Sequence, residues 1–238
     1  MNHRAYLAHS LQIHNLYVRP PGGNEFERMR AIAVKCSTIL AHRGVSVQLP
    51  QIVWRLLPDY AYLDKMAAAS DAFGAHAYLS IHSNAAAASA RGALTLFFPG
   101  SAASKALATD VERRVAAVSP FPRDGVKDIR GDASLHDLHV PKAPAALCEV
   151  GFHTNQADAV HIAKFPGLYA LALADAVCDF LQVEARANGG LAIALKKDVA
   201  ALAKRWKRTV PAMDFATDVV GDAAQAALRI LADEAAKR

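Results

Sequence analysis

The chain has 238 residues, 53% of them hydrophobic, a formal charge of +5 and an isoelectric point near 9.2. That is enough apolar material for one domain of ordinary size plus an appendage. The mild basic balance, without basic runs interleaved with aromatics in the main body, argues against nucleic-acid binding. Three scattered cysteines, Cys36, Cys148 and Cys178, argue against a disulfide framework or a Cys-rich metal site.

In chain order, Arg4–Ala8 reads as a first strand, followed by a polar loop carrying Pro20, Pro21, Gly22 and Gly23. From Glu25 to Arg43 the apolar residues Met29, Ile32, Ala33, Cys36, Ile39 and Leu40 recur at helical spacing, with Gly44 as the stop. Val45–Leu49 is a second strand, Tyr60–Phe73 a helix, and Ala77–Ile81 a third strand ending at His82. Gly92–Phe98 is a fourth strand and Ser101–Val118 a helix with a Ser start. Ala145–Gly151 is the last strand, and Ala157–Val183 is helical with an interruption at Pro166 and Gly167. Strands alternating with helices predict an α/β fold, a mostly parallel central sheet flanked by helices on both faces.

Composition shifts after Val183. Leu191, Leu195, Val199, Leu202 and Trp206 form an apolar stripe, Pro211 breaks it, and Phe215–Ala235 repeats an amphipathic pattern. The expected division is a catalytic domain over 1–183 and a C-terminal helical hairpin over 184–238. Its basic cluster, residues 204–208, fits either an anionic surface or, the favoured reading, a helix C-terminus complementing the macrodipole, so the extension is read as wall-binding or packing.

The chemistry gathers at one edge. Glu149 sits in the apolar run Ala-Leu-Cys-Glu-Val-Gly-Phe, where an unpaired carboxylate is costly and calls for a cation or a shifted pKa. The following Gly151 permits a close approach to the backbone. His82 ends the third strand, Glu25 opens the first helix, and the first-strand loop carries His9 and His14. In an open α/β sheet ligands bind beyond the carboxyl ends of the strands, where all of these fall. Two imidazoles and a carboxylate are a common set for catalytic zinc, and a further carboxylate can move the proton of an attacking water.

With these strings, His-Asn-Leu-Tyr-Val and Gly-Gly-Asn-Glu-Phe-Glu-Arg-Met within 14–29, Ser-Ile-His-Ser-Asn-Ala at 80–85, Gly-Val-Lys at 125–127 and Cys-Glu-Val-Gly-Phe-His-Thr-Asn at 148–155, the chain resembles the zinc-dependent N-acetylmuramoyl-L-alanine amidases. The resemblance runs in order through about the first three-quarters of the chain. It implies a Zn2+ cofactor held by Glu25, His82 and a histidine of the first loop, with Glu149 as the catalytic proton carrier. A Gly-His-Ser-like turn selects His9; a Gln-x-His-Asn-x-Tyr loop selects His14, which the Gly-Gly-Asn-Glu context favours. Asn84 and Lys127 are implied to touch substrate, while His153 and Asn155 fit either a site-orienting or a turn role. His136 and His139 are read as loop residues open to solvent.

The implied reaction is hydrolysis of the bond between N-acetylmuramic acid and L-alanine, with peptidoglycan as partner. A zinc peptidase acting on the stem peptide and a non-catalytic wall-binding module are the competing expectations. The N-terminus lacks the apolar core of a signal peptide, and no window has the apolar length to span a membrane. The chain is therefore expected in the cytoplasm as synthesised, reaching the wall after release by a separate route.

Overall fold

The computed structural model describes residues 2–58, 61–119, 121, 125–128 and 135–183. Six strands form one sheet: β1 (Arg4–His9), β2 (Ser46–Gln48), β3 (Ala77–Asn84), β4 (Leu94–Phe97), β5 (Gly125–Asp128) and β6 (Ala145–Phe152), in the spatial order β2-β1-β3-β6-β4-β5. All neighbours run parallel except β4 against β6. The mostly parallel sheet is as the alternation of strands and helices implies. The short edge strand β5, and the antiparallel seam beside β6, are additions to the expected order.

Helices α1 (Glu25–His42), α3 (Ala102–Val118), α5 (Gln156–Lys164) and α6 (Pro166–Leu181) cover one face. Ala5, Leu7, Leu79, Ile81, Ala146, Cys148 and Val150 supply that face of the sheet. On the other, α2 (Ala61–Phe73) and the one-turn α4 (His136–His139) pack with Tyr6, Ala8, Tyr78, Ala145 and Leu147. Alternate residues of each strand thus serve opposite cores, as the pleat requires. The three cysteines are free and buried, as small core residues.

Pro166 begins α6 instead of interrupting one long helix, because a proline lacks the N–H that a helix interior needs but fits the first turn. Helix α6 is largely buried between α1 and α3. Among the described residues no single helix is long and apolar enough to cross a membrane. The tail expected to form a hairpin, 184–238, lies outside the described residues.

Two local devices aim side chains at the carboxyl edge. Asn24 caps α1 reciprocally: its Oδ1 accepts the Glu27 N–H at 2.9 Å, and Glu27 Oε2 accepts the Asn24 N–H at 3.3 Å. The helix start is thereby fixed with Glu25 as its first residue. At the end of β6, Asp158 Oδ2 accepts the N–H groups of Phe152 and Gly92 at 2.8 and 2.9 Å. A Cβ on Gly151 would lie 3.1 Å from that oxygen, so the close approach expected at this glycine is by Asp158.

Candidate active site

Because β1, β3 and β6 are parallel, their carboxyl ends share one edge, and the start of α1 lies there too. A cleft of about 650 Å³ opens at this edge, with Glu25, His82, Asn84, Asp137, Glu149 and His153 in its walls. His82 and Glu149 face each other directly across the β3–β6 pair.

Glu25 is buried, and its carboxylate is fully engaged. Oε1 lies 3.0 Å from His82 Nδ1 and accepts the Ser83 N–H at 3.0 Å; Oε2 accepts from Asn15 Nδ2 at 2.6 Å. Burial works to raise its pKa, but the hydrogen bond and charge of His82, with the Ser83 and Asn15 donors, hold it below the usual carboxylate range. Glu25 is therefore an anion.

His82 is raised well above the ordinary imidazole value. Burial opposes its charge, and Asp137, Glu25 and Glu149 together outweigh that cost. Asp137, from α4, stands with Oδ2 3.4 Å from His82 Nε2. It also accepts from Tyr78 Oη at 3.2 Å and from Ser80 Oγ at 2.5 Å.

Glu149 is pushed up to about 7, first by burial; the His82 charge pulls it down and Glu25 pushes it up. Its Oε2 is shielded from water and makes no hydrogen bond, as is His82 Nε2. A carboxyl poised near neutrality suits a group that must take and return a proton.

The first-loop histidines are disposed differently from each other. His14, the favoured ligand from the sequence, is exposed and lies outside the cleft walls. The reason is local. Gln12 and Asn15 turn inward, their carbonyls accepting the Phe26 and Glu25 N–H groups at the head of α1, and their side chains hydrogen-bond to each other. His14 between them is left outside.

His9 is buried, its ring 5.9 Å from that of Phe26, and its pKa falls to about 4, mainly through burial, with Arg30 and His82 adding to the depression. Its Nδ1 lies 3.0 Å from the Ser10 carbonyl, which can only accept, so Nδ1 carries the proton and Nε2 is the bare nitrogen. His9 also does not line the cleft, and among the described residues no three His, Cys, Asp or Glu side chains form a preformed metal site.

Of the remaining candidates, Asn84 lines the cleft and Lys127 does not; it is exposed on β5. Asn155 caps α5, accepting from the Ala157 and Asp158 N–H groups, which makes its role structural. His153 is buried against Tyr17 and donates from Nδ1 to the Ser83 carbonyl at 2.8 Å. His136 is partly exposed at the cleft, with Nδ1 3.0 Å from Asp64 Oδ1; His139 is exposed, as expected.

Asp137 escaped sequence reasoning. The readable signal was the alternation Tyr78, Ser80, His82 on one face of a strand otherwise apolar, a polar column that needs an acceptor above it.

The sequence profile of the N-acetylmuramoyl-L-alanine amidases matches residues 17–180, well over half of the chain. The chain belongs to that family. The matched stretch includes Glu25, His82 and Glu149 and begins after both His9 and His14.

Solved amidases share the fold. The catalytic domain of CwlV from Bacillus (Paenibacillus) polymyxa var. colistinus superposes with a TM-score of 0.64 at 20% identity, covering 76% of this chain and 99% of that one. AmiC2 of Nostoc punctiforme gives 0.65 at 18%, covering 76% and 98%. The catalytic domain of the CD27L endolysin, which targets Clostridia difficile, gives 0.59 at 18%, covering 77% and 99%. No curated protein sequence matches the chain. As a member of the amidase family, the protein hydrolyses the amide bond that joins N-acetylmuramic acid to L-alanine in peptidoglycan.

Proposed function

We propose that this amidase works on a zinc ion held by Glu25, His82 and His9, with Glu149 moving the proton. The observation that carries the reading is charge. Three carboxylates, Glu25, Asp137 and Glu149, converge on one imidazole in a largely buried wall, with Glu149 Oε2 lacking any hydrogen bond. Buried anions in excess over cations are expensive, and a divalent cation offsets them. Glu25 and His82 also present an oxygen and a nitrogen 3.0 Å apart, a donor pair that suits zinc.

His9 is a better third donor than His14. It is neutral, its Nδ1 proton is tied to a backbone carbonyl, and its Nε2 is bare, the state a ligating imidazole requires. When bound, the metal supplies a Lewis acid that polarises the scissile carbonyl and makes water a better nucleophile. Glu149 takes the proton from the attacking water and returns it to the departing alanine nitrogen. Asn15 and the Ser83 N–H keep the Glu25 carboxylate ionised and oriented. Asn84 and His153 line the substrate's path, and the protein acts at the cell wall.

The test is zinc content per chain, with mass spectrometry of peptidoglycan digested by wild type and Glu149→Gln. One zinc per chain, released intact peptides beginning with L-alanine, and no release by the variant are expected. Peptides cut internally would make the enzyme a stem-peptidase instead. Full activity in metal-free protein would overturn the zinc reading.

A further inference from the structure

The turn that follows β6 carries a buried ring held on all sides but one. Beyond the His82–Glu149 pair, Asn84 pairs with Phe152, so β6 sets one extra residue against β3. Such a bulge re-aims the residues beside it. His153 comes next, and its backbone is tied at both ends. Its N–H donates to the Asn84 carbonyl at 2.9 Å, and its carbonyl accepts the Val18 N–H at 3.0 Å. The ring stacks on Tyr17, centroids 5.5 Å apart. Nδ1 lies 2.8 Å from the Ser83 carbonyl and 3.1 Å from Ser83 Oγ. A carbonyl can only accept, so Nδ1 carries the proton, and in the neutral ring Nε2 is a bare acceptor.

His153 is only 4% exposed, yet it lines the cleft. Among the described residues Nε2 has no hydrogen-bond partner, and unlike Glu149 Oε2 it is not sealed from solvent. A polar atom so placed calls for a partner. A ring already fixed on its other sides also has little freedom to lose when one binds. The nearby donors are spent, because Asn15 Nδ2 and the Ser83 N–H both serve Glu25. Asn84, also in the cleft wall, accepts the Ala85 N–H through Oδ1 at 2.8 Å. Its Nδ2 is left without a partner among the described residues. One free acceptor and one free donor, on residues joined by a backbone hydrogen bond, match the N–H and C=O of a secondary amide.

We propose that His153 is a substrate-binding residue whose Nε2 accepts a hydrogen bond from an amide N–H beside the scissile bond. This role presumes, with the reading above, that the cleft holds that bond, which Glu149→Gln tests separately; it does not depend on zinc. A muramoyl peptide offers two such groups, the N–H that follows L-alanine in the stem and the acetamido N–H of the sugar.

Two substitutions separate this contact from the ring's hold on Ser83. His153→Asn keeps an amide N–H near the position of Nδ1 and removes Nε2. His153→Gln places an amide oxygen near Nε2 as an acceptor. Steady-state kinetics of the full chain are measured on a soluble N-acetylmuramoyl peptide, with zinc content determined on the same samples. Two analogues complete the set. One has an ester oxygen in place of the N–H after L-alanine; the other has an O-acetyl group in place of the acetamide.

On the normal peptide, KM should rise about threefold to tenfold in His153→Asn, with kcat changed less and zinc content as in wild type. His153→Gln should recover part of that loss. On one of the two analogues wild type and His153→Asn should share the same KM, and that analogue names the N–H that His153 holds. An unchanged KM in His153→Asn, or one raised by the same factor on all three substrates, overturns the proposal. So does zinc lost from His153→Asn, which would make the ring a metal ligand. Full cleavage by metal-free wild type would end the zinc reading, while the same KM pattern would still establish the contact.

Discussion

Glu149 and His82 stand opposite each other on adjacent parallel strands, in register, the carboxyl pKa raised to about 7 chiefly by burial and the imidazole pKa raised by the carboxylates around it. The sheet places them. Neither depends on a mobile loop for its position, and the pairing is as rigid as the β3–β6 ladder itself. The proton carrier and the metal-binding imidazole of the proposed reading are therefore set at a distance the backbone enforces.

Glu149→Gln preserves the shape of that wall and removes the base. Hydrolysis of purified peptidoglycan should fall by about 10²- to 10⁴-fold, with zinc content unchanged. Dye release from labelled cell walls, with elemental analysis of the same sample, checks both halves. Activity near that of wild type would remove Glu149 from the mechanism.

The two histidines of the first loop give opposite expectations. His9→Ala should lower bound zinc well below one per chain, whereas His14→Ala should leave zinc and activity as they are, since that ring faces solvent. Zinc loss in His14→Ala, with retention in His9→Ala, would reverse the assignment.

Much of this site was legible in the sequence. Strand and helix periodicity placed β1, β3, β6 and α1, and with them the end positions of Glu25, His82 and Glu149. A carboxylate in an apolar strand announced its own cost. What was not legible depends on loop geometry. Whether His9 or His14 turns inward is decided by Gln12 and Asn15 closing over the head of α1, a contact between segments with no periodic signature. Asp137 lies on a helix of a single turn, too short to show a pattern, and becomes meaningful only when α4 crosses the column of Tyr78, Ser80 and His82. The four-residue β5 went unseen for the same reason of length.

The cap on α1 is a second point of leverage. Asn24→Ala removes the acceptor for the Glu27 N–H and should cost about 1 kcal/mol in a urea unfolding experiment. Since Glu25 is the next residue, zinc affinity should drop in step with that fraying. A stability loss with no change in zinc affinity would show that Asn15 and Ser83 alone hold the ligand.

His161 supplies a pH dependence far from the cleft. Burial lowers its folded pKa from 6.5 to about 4, and its Nδ1 lies 2.9 Å from Tyr169 Oη. Between those values the unfolded chain binds a proton that the folded chain refuses. Its contribution to stability is thus complete above about pH 6.5 and is lost as pH falls toward 4, at a slope of at most about 1.4 kcal/mol per pH unit. Urea midpoints measured from pH 7 to pH 4 should show this decline, and His161→Gln should flatten it. An equally steep decline in the variant would move the cause to other groups, His9 first among them.

The strand bearing Glu149 is the last of the six in the chain and the one that lies between β3 and β4, joining the β2-β1-β3 and β4-β5 portions of the sheet. Until it inserts, the two portions share no ladder, so closing the sheet and bringing Glu149 to the cleft are one event. Such long-range pairing is the slow part of folding. A partly made or partly folded chain therefore has no working centre, and an enzyme able to breach a cell wall gains its chemistry only with its finished fold.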